Sequence, residues 1–516
     1  MKGDAPQAPV AQEARPEVKD VSQTPQSPPV VPQTPPKPTP PTKPKKRLKL
    51  IILIVFVVLA SLVAGAVGYY YFSEERFVVK DKEWFQTGNT QEITKFQAKT
   101  SEELEDNRIG DMWVLDVFTE DYAEEFVRRI NDVGLKWTRL SIDWFDWDEI
   151  VENGAYSKHH IYPNQDKVIT DLKNRGIKVK YTLLFWDPEA PSFTQDEEQE
   201  YSRFKTEEEI GRYLDYVKFI VSNFKGRIEY YEILNEQNHC EGTQQNVKLD
   251  DYINLVKRVI PVIREEDPNA KIVAGSVADL RQPPFREYFL GFIKSDVMPL
   301  LDGISFHPMY GVSPEYDVPR QYYYEYPSLI QEIKDISSAH GFKGEYFADE
   351  LVWRTPIDPN PDEKWMYSET QATKYYVRGI AMNLGMDLTT GIALGTQEEL
   401  PLMMRAIKNI ATVMAGTKPT ELPIEIQSEA TNIRNYTFSL SNGDNLIALW
   451  TDGVAIDENS GVNADLIFDG FTGKDIVAID VLNGYQQTLV TDGNTIKDLI
   501  VRDYPLMLRI SKLDKN

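Results

Sequence analysis

The feature that most constrains the fold is a regular alternation of short apolar runs with amphipathic segments of helical period, between about residues 106 and 416. Several amphipathic segments end at a glycine, which commonly terminates helices. The alternation forms eight pairs, with the apolar runs RIGDMWVLDV, KWTRLSI, IKVKYTLLF, RIEYYEIL, KIVAGSV, DGISFH, GEYFAD and LTTGIAL. Strands that alternate with helices form parallel sheets, and eight units predict an α/β fold closed into a (β/α)8 barrel, or TIM barrel. A doubly wound open sheet is the alternative, but no glycine-rich phosphate loop follows the first strand.

After the barrel the periodicity becomes that of short strands. The stretch NYTFSLSNGDNLIALWTDG alternates around an Asn-Gly turn, and the strand-like runs DLIFDG, IVAIDVLNG and YPLMLRI follow it. This pattern predicts a small all-β sandwich over residues 417–516. A structural role is favoured for it over carbohydrate binding.

The N-terminal part of the chain has a different composition. Thirteen of the 32 prolines lie in residues 1–49, so this tail cannot bury a core and is expected to be disordered. Residues 50–72 carry no charge and are long enough to cross a bilayer as one helix. Lysine and arginine precede this segment and glutamate follows it, which predicts a cytoplasmic tail and an extracellular barrel. Residues 73–105 are expected to form a stalk or linker.

The predicted anchor and the overall charge restrict the partners. A cleaved signal peptide is the alternative to the anchor, but the apolar stretch is long and lies deep in the chain. The formal net charge of −24 argues against a nucleic-acid partner. The proline-rich tail has the composition of a partner-binding sequence, although nothing else in the chain supports such a partner. An exported chain with a single cysteine cannot form an internal disulfide, which favours a prokaryotic cell surface.

Carboxylates at strand ends carry the chemistry in this interpretation. Barrel enzymes place their reacting groups at the C-terminal ends of the strands, which selects Glu236 after the fourth strand and Glu350 after the seventh. Glu232 lies in mid-strand and is expected to be a buried partner of Arg139 or another base. Asp349 competes with Glu350, because side chains alternate along a strand and both should not face the axis. Two carboxyl groups about 5 to 5.5 Å apart could cleave a glycosidic bond with retention.

Several motifs resemble one family. YYEILNEQN resembles the fourth-strand motif of the clan A glycoside hydrolases, which are retaining (β/α)8 glycosidases, and it is most similar to their family 39. Three more segments are similar to the second, sixth and seventh strands of that clan, namely GLKWTRLSIDWFDWDEI, DGISFHPMYG and EYFADELVW. The chain departs from the pattern at Gln237, where proline is usual, at Met309, which is inserted, and in the eighth strand, which lacks a tryptophan.

The resemblance implies a role for each matching residue. Glu236 would be the general acid/base and Glu350 the nucleophile, while Asn235 would hold the sugar 2-hydroxyl and Arg139 would bind the nucleophile. Further substrate contacts follow from the resemblance at the sixth strand and from indole rings just past strand ends. These are His307, Tyr310, Trp144, Trp147, Trp186 and Trp353.

The predicted protein is therefore a membrane-anchored retaining glycoside hydrolase that acts on oligo- or polysaccharides outside the cell. The clan acts mainly on β-linked sugars, so the resemblance implies that linkage. No cofactor is expected, and no metal, because the spacing of the histidines matches no zinc signature. A surface transglycosylase would use the same residues, and a non-catalytic carbohydrate-binding barrel is a further alternative.

Overall fold

The computed structural model describes residues 83–112, 120–141, 159–161, 163–185, 187, 202–239, 246–356, 365–394 and 400–512. The predicted proline-rich tail (1–49) and membrane anchor (50–72) lie outside these residues, as do Trp144, Trp147 and Trp186. Among the helices that the structure describes, none combines the length and apolar character needed to cross a bilayer.

A closed parallel barrel occupies the middle of the chain. Its strands are β2 (Ile109–Asp111), β3 (Trp137–Leu140), β4 (Lys178–Leu183), β5 (Tyr230–Ile233), β6 (Lys271–Val277), β7 (Gly303–Phe306), β9 (Glu345–Val352) and β10 (Thr389–Ile392). Each pairs in parallel with the next, and β10 pairs with both β2 and β9, which closes the ring. A short strand, β8 (Met309–Tyr310), extends the pairing of β9 beyond the end of β7. The predicted eight-stranded barrel is confirmed, and the open sheet is excluded.

A helix follows every barrel strand and covers the outside of the ring. The helices are α1 (Glu120–Val133), α2 (Pro163–Asn174), α3 (Glu207–Phe224), α4 (Leu249–Glu266), α5 (Pro283–Phe292), α6 (Asp317–Ala339), α7 (Glu369–Gly385) and α8 (Pro401–Val413). Local sequence explains several of their starts. The Thr206 side chain caps α3 by accepting from the Glu209 amide, and Ser368 and Gln371 form a capping box at α7.

The C-terminal part forms two antiparallel sheets around a second apolar core. Its strands are β11 (Thr417–Pro419), β12 (Glu425–Ser428), β13 (Ile433–Leu440), β14 (Asn445–Thr451), β15 (Val462–Ile467), β16 (Ile476–Asp480), β17 (Tyr485–Thr488), β18 (Thr495–Val501) and β19 (Leu506–Ile510). The larger sheet also contains the first strand of the chain, β1 (Ile93–Lys95), and has the order β1-β17-β16-β19-β14-β13-β11. The smaller sheet has the order β12-β15-β18. The chain therefore has the predicted additional β domain.

Part of the predicted stalk belongs to this β domain. The first strand, β1 (Ile93–Lys95), pairs antiparallel with β17 at the edge of the larger sheet. The Phe85 side chain is fully buried in the core between the sheets. Residues 83–95 therefore differ from the linker predicted for 73–105, because their apolar side chains and backbone find partners near the C-terminus.

Candidate active site

Glu236 follows β5 on a backbone that local hydrogen bonds hold in an unusual conformation. Leu234 and Glu236 both have positive φ angles, of 61° and 50°, which non-glycine residues rarely adopt. The Glu236 amide donates to the Ser276 carbonyl at 2.8 Å, and the side chain of Gln237 donates to the Gly275 carbonyl. Gln237 is fully buried, so the residue that replaces the expected proline ties this loop to β6.

A bulge in β9 orients its two acidic residues. On the neighbouring strand β10, the single residue Gly391 stands opposite both Asp349 and Glu350. A Cβ atom at position 391 would overlap the Asp349 carbonyl oxygen, so glycine leaves room for the extra residue. The expectation that only one of the two carboxylates faces the interior is wrong, because the bulge interrupts the alternation of side chains. Both carboxylates lie inside the ring of strands.

The structure brings Glu236 and Glu350 to one point, at Nδ1 of His307. The His307 Nδ1 atom lies 2.8 Å from Glu236 Oε1 and 3.3 Å from Glu350 Oε2. One oxygen of each carboxylate and the imidazole nitrogen all lie within 4.8 Å of one another. Glu350 and His307 are buried, whereas the Glu236 side chain is 29% exposed. One carboxylate is therefore enclosed and the other is open to a ligand.

Arg139, at the end of β3, fixes the enclosed carboxylate. Its Nη2 atom forms an ion pair with Glu350 Oε1, and its Nη1 atom donates to Asn235 Oδ1 at 3.1 Å. Its Nε atom donates to the Met112 carbonyl at 2.9 Å. Burial lowers the pKa of Arg139, but the charges of Glu350, Glu232 and Asp349 together outweigh it and the pKa is raised. The guanidinium is thus a permanent cation that pairs with Glu350 and orients it.

The hydrogen bonds around His307 determine where its protons lie. The Ser276 hydroxyl donates to Asn235 Oδ1 at 2.8 Å, so at 3.2 Å it can only accept from His307 Nε2. Nε2 therefore carries a hydrogen. The remaining proton lies between His307 Nδ1 and Glu236 Oε1, since either atom can hold it and donate to the other. Asn235 is left with its Nδ2 group to donate to a ligand.

The pKa shifts favour the imidazolium form of this pair. Burial raises the pKa of Glu236, but the hydrogen bond and charge of His307 outweigh it, and the pKa lies below its ordinary value. Burial lowers the pKa of His307, but the charge of Glu350 and the hydrogen bond to Glu236 outweigh it, and the pKa is raised. In the free protein the shared proton therefore resides on the imidazole.

Tyr310 reaches the same group despite the inserted Met309. The Tyr310 hydroxyl donates to Glu236 Oε1 at 3.2 Å, and its ring meets that of His307 edge to face. Met309 is fully buried in the barrel core, so the extra residue is absorbed by β8 rather than displacing the tyrosine.

Trp353 is not a sugar platform. Its indole is 1% exposed, stacks on Tyr375 and meets Tyr376 edge to face. Its Nε1 atom donates to the Val312 carbonyl at 2.9 Å. The prediction that Trp353 contacts substrate is wrong, because the strand turns this side chain outward onto α7, where it packs between barrel and helix.

Glu232 is a buried partner of a base, as expected, and that base is Lys180 on β4. The Lys180 Nζ atom lies 2.5 Å from Glu232 Oε1 and also forms an ion pair with Asp349 Oδ2. Thr182 donates to the other Glu232 oxygen at 2.9 Å. Sequence reasoning missed Lys180 as a member of the site, although a lysine in the apolar run IKVKYTLLF was a signal.

Sequence reasoning also missed Ser276 as a member of the site. It has a positive φ of 41°, and β6 carries a bulge at this point because three residues there match two on β7. Gly275 precedes it, and a Cβ atom at that position would lie 2.5 Å from the Ser305 carbonyl oxygen. The glycine in KIVAGSV was the available signal, because glycine inside a strand often marks a bulge.

The donor set of Glu236, His307 and Glu350 is also spaced closely enough to hold a cation. Arg139 already binds one oxygen of Glu350, and an imidazolium at position 307 would repel a metal ion. We therefore interpret this set as an acid–base group.

Comparisons with known proteins agree with this fold. No protein-family model matches the chain. Endo-1,4-beta-xylanase A of Thermotoga neapolitana is 28% identical over 163 residues, which span 30% of this chain and only 15% of that protein. A family 39 glycoside hydrolase of Bacteroides cellulosilyticus is 14% identical with a TM-score of 0.56, over 81% of this chain and 83% of that one.

A second solved structure is similar over nearly the same extent. The alpha-L-arabinofuranosidase of Thermotoga maritima is 12% identical with a TM-score of 0.51, over 82% of this chain and all of that one. These likenesses extend through both the barrel and the β domain, since the barrel alone is a smaller share of the chain. The fold that the resemblance implied is therefore confirmed: the chain has the (β/α)8 fold of these two solved structures.

Proposed function

We propose that the protein is a retaining glycoside hydrolase that uses Glu350 as nucleophile and Glu236 as general acid/base. The observation that carries the proposal is the approach of the two carboxylates, with oxygens within 4.8 Å. Retaining enzymes hold their carboxyl groups about 5–5.5 Å apart, whereas inverting enzymes need about 6.5–9.5 Å to admit a water molecule. The spacing supports a double displacement.

The chemistry follows from the environments of the two groups. Glu350, paired with Arg139, would attack the anomeric carbon while the glycosidic bond to the leaving oxygen breaks. The leaving oxygen would take its proton from Glu236 Oε1. A bound sugar excludes water, which favours transfer of the shared proton from His307 Nδ1 to Glu236 across their 2.8 Å hydrogen bond. Glu236 would then deprotonate the water that cleaves the glycosyl-enzyme.

The substrate class is a saccharide, and we propose a β-linkage. The names of the similar proteins include a xylanase and an arabinofuranosidase, so pentose-containing glycans are the first substrates to test. Asn235 Nδ2 would donate to the sugar 2-hydroxyl, a contact that strengthens in the transition state.

The direct test is covalent labelling. The purified full-length protein is incubated with 2-fluoroglycosides of xylose, arabinose and glucose, which trap the glycosyl-enzyme, and the labelled peptide is identified by mass spectrometry. We expect the label on Glu350. Saccharide binding with no label on any carboxylate would instead indicate a non-catalytic barrel.

Matched variants test the two roles by turnover of aryl glycosides. We expect Glu350→Gln to abolish turnover and Glu236→Gln to reduce it by about 10²- to 10⁴-fold. Glu345→Gln and Glu229→Gln are the controls, because they remove exposed carboxylates that pair with Lys271 near the start of the same two strands. Full activity in Glu350→Gln would contradict the assignment. Product analysis with added acceptor sugars separates hydrolysis from transglycosylation.

We also propose that residues 50–72 anchor the protein in the cell membrane, with the barrel outside. The uncharged length of this segment and the basic residues before it support the proposal. Membrane fractionation with and without residues 50–72, and digestion of intact cells with an external protease, would test it. A chain that stays in the membrane fraction after the deletion would contradict the anchor.

A further inference from the structure

A cluster of three charged side chains lies inside the barrel, directly below the proposed catalytic pair. Lys180, Glu232 and Asp349 come from β4, β5 and β9, and all three side chains are fully buried. The Lys180 ammonium also lies 5.7 Å from the centroids of two aromatic rings, Trp137 and Phe347. Buried ion pairs are often no more stabilising than apolar side chains of similar volume. Stability alone is therefore a weak reason for this cluster.

The cluster carries an excess of negative charge, because one ammonium serves two carboxylates. Lys180 binds Asp349 Oδ2, whereas Asp349 Oδ1 has no hydrogen-bond partner among the residues that the structure describes. His307 Nε2 lies 3.7 Å from this oxygen. That distance is too long for a hydrogen bond but close for two charges in a site closed to solvent.

The bulge in β9 is what links this cluster to catalysis. Because it turns consecutive residues to the interior, Asp349 lies on the Nε2 side of the His307 ring and Glu350 lies on the Nδ1 side. The ring thus lies between a buried anion and the shared proton of Glu236.

The groups that face His307 come from every strand packed against it. They are Asp349 and Glu350 from β9, Glu236 after β5, Ser276 from β6 and Tyr310 from β8, with Arg139, Lys180 and Glu232 paired behind them. Of the charged groups that touch the ring directly, all are carboxylates. Arg139 and Lys180 each form an ion pair with one of these carboxylates, Arg139 with Glu350 and Lys180 with Asp349.

We propose that Asp349, held by Lys180 and balanced against Glu232, is a positioning residue that keeps His307 doubly protonated and thereby sets the pH range in which Glu236 donates its proton. Asp349 touches neither the sugar nor a reacting atom. Its charge acts on the imidazolium, and the imidazolium supplies Glu236. The catalytic consequence rests on the function proposed above. The protonation of His307 does not.

The pH dependence of turnover tests the positioning role in the full-length protein. In Asp349→Asn the shape is kept and the anion is lost, so the pair of His307 and Glu236 should lose its proton at lower pH. The basic limb of the pH profile of kcat/KM should shift to lower pH by about 1 pH unit or more, which is the range expected for the loss of a neighbouring charge. Glu232→Gln is the matched control, since it removes a carboxylate of the same cluster from behind Lys180. It should move the limb in the same direction by less.

A second measurement needs neither activity nor a folded Asp349 variant. The chain has five histidines, so ¹⁵N-histidine labelling gives few signals, and the His307 signal is the one lost in His307→Gln. We expect wild-type His307 to keep both ring protons above the ordinary histidine pKa of 6.5. A ring that becomes neutral below that pH would overturn the inference.

An active Asp349→Asn enzyme with an unchanged basic limb would also overturn the inference about Asp349. It would not contradict the proposed hydrolase function. Conversely, a doubly protonated His307 in a protein that turns over and traps no glycoside would support the inference about His307 while the proposed function fails.

Discussion

Replacing Lys180 by methionine tests how the barrel interior holds its buried charges. Methionine keeps an unbranched side chain of similar length but removes the ammonium, which leaves two fully buried carboxylates without their cation. Asp349 still faces His307 at 3.7 Å. The direct hydrogen-bond donors that Glu232 retains are neutral, namely the hydroxyls of Thr182 and Ser305. Glu232 is therefore the group that must respond.

The least unfavourable response is that Glu232 takes up a proton. A glutamate with an ordinary pKa of about 4.3 is protonated at pH 7 at a cost of about 4 kcal/mol, and at pH 5 at a cost of about 1 kcal/mol. In the wild type, burial raises the pKa of Glu232, but the charges of Lys180 and Arg139 and the hydrogen bonds to Lys180 and Ser305 together outweigh it and lower the pKa to about 2. A depressed pKa stabilises the fold above the unfolded value, so the wild type loses this contribution only as the pH falls from about 4 towards 2.

Urea unfolding of the full-length protein, followed by tryptophan fluorescence, measures the free energy of unfolding at pH 7 and at pH 5. Lys178→Met is the matched control on the same strand, since Lys178 pairs with Asp106 at 2.7 Å but both side chains are more than one-third exposed. The control should lose less than about 1 kcal/mol at either pH. The reasoning is refuted if Lys180→Met is no less stable than the control at pH 7, or if its loss is the same at pH 5.

Three further changes test the packing around the site. Gly391→Ala should destabilise the fold by roughly 2 kcal/mol, because a Cβ atom would overlap the Asp349 backbone. Thermal unfolding measures this loss, and an unchanged melting temperature would contradict the bulge in β9. Trp353→Ala should reduce the free energy of unfolding by about 3–5 kcal/mol through the cavity it leaves, while KM stays near the wild-type value. A large rise in KM at full stability would instead indicate that the indole stacks on a bound sugar. Tyr310→Phe removes a 3.2 Å hydrogen bond to Glu236 and should lower kcat by up to about tenfold without loss of stability, and equal kcat would show that the hydroxyl has no role.

The positions of the two proposed catalytic residues could be predicted because they depend on local patterns. Glu236 and Glu350 each follow a strand-like apolar run, and a closed parallel barrel gathers all such positions at one end. Arg139 and His307 were predicted from the resemblance of the second and sixth strands to the clan A motifs. The Trp353 prediction failed because position past a strand end does not specify the direction of a side chain: with Glu350 facing inward, alternation along the chain turns Trp353 outward onto α7.

The amino-acid sequence by itself determined the number and order of the strand-helix units, and with them the barrel and the end at which its polar side chains collect. Hydrophobic periodicity is a property of neighbouring residues, so it can be read along the chain. The tertiary structure alone decided that Asp349 and Glu350 both face inward, that Lys180 is the cation between two carboxylates, and that residues 83–95 join the β domain. Each of these depends on a partner from a distant part of the chain, such as Gly391 opposite the bulge, and only the packed fold brings those partners together.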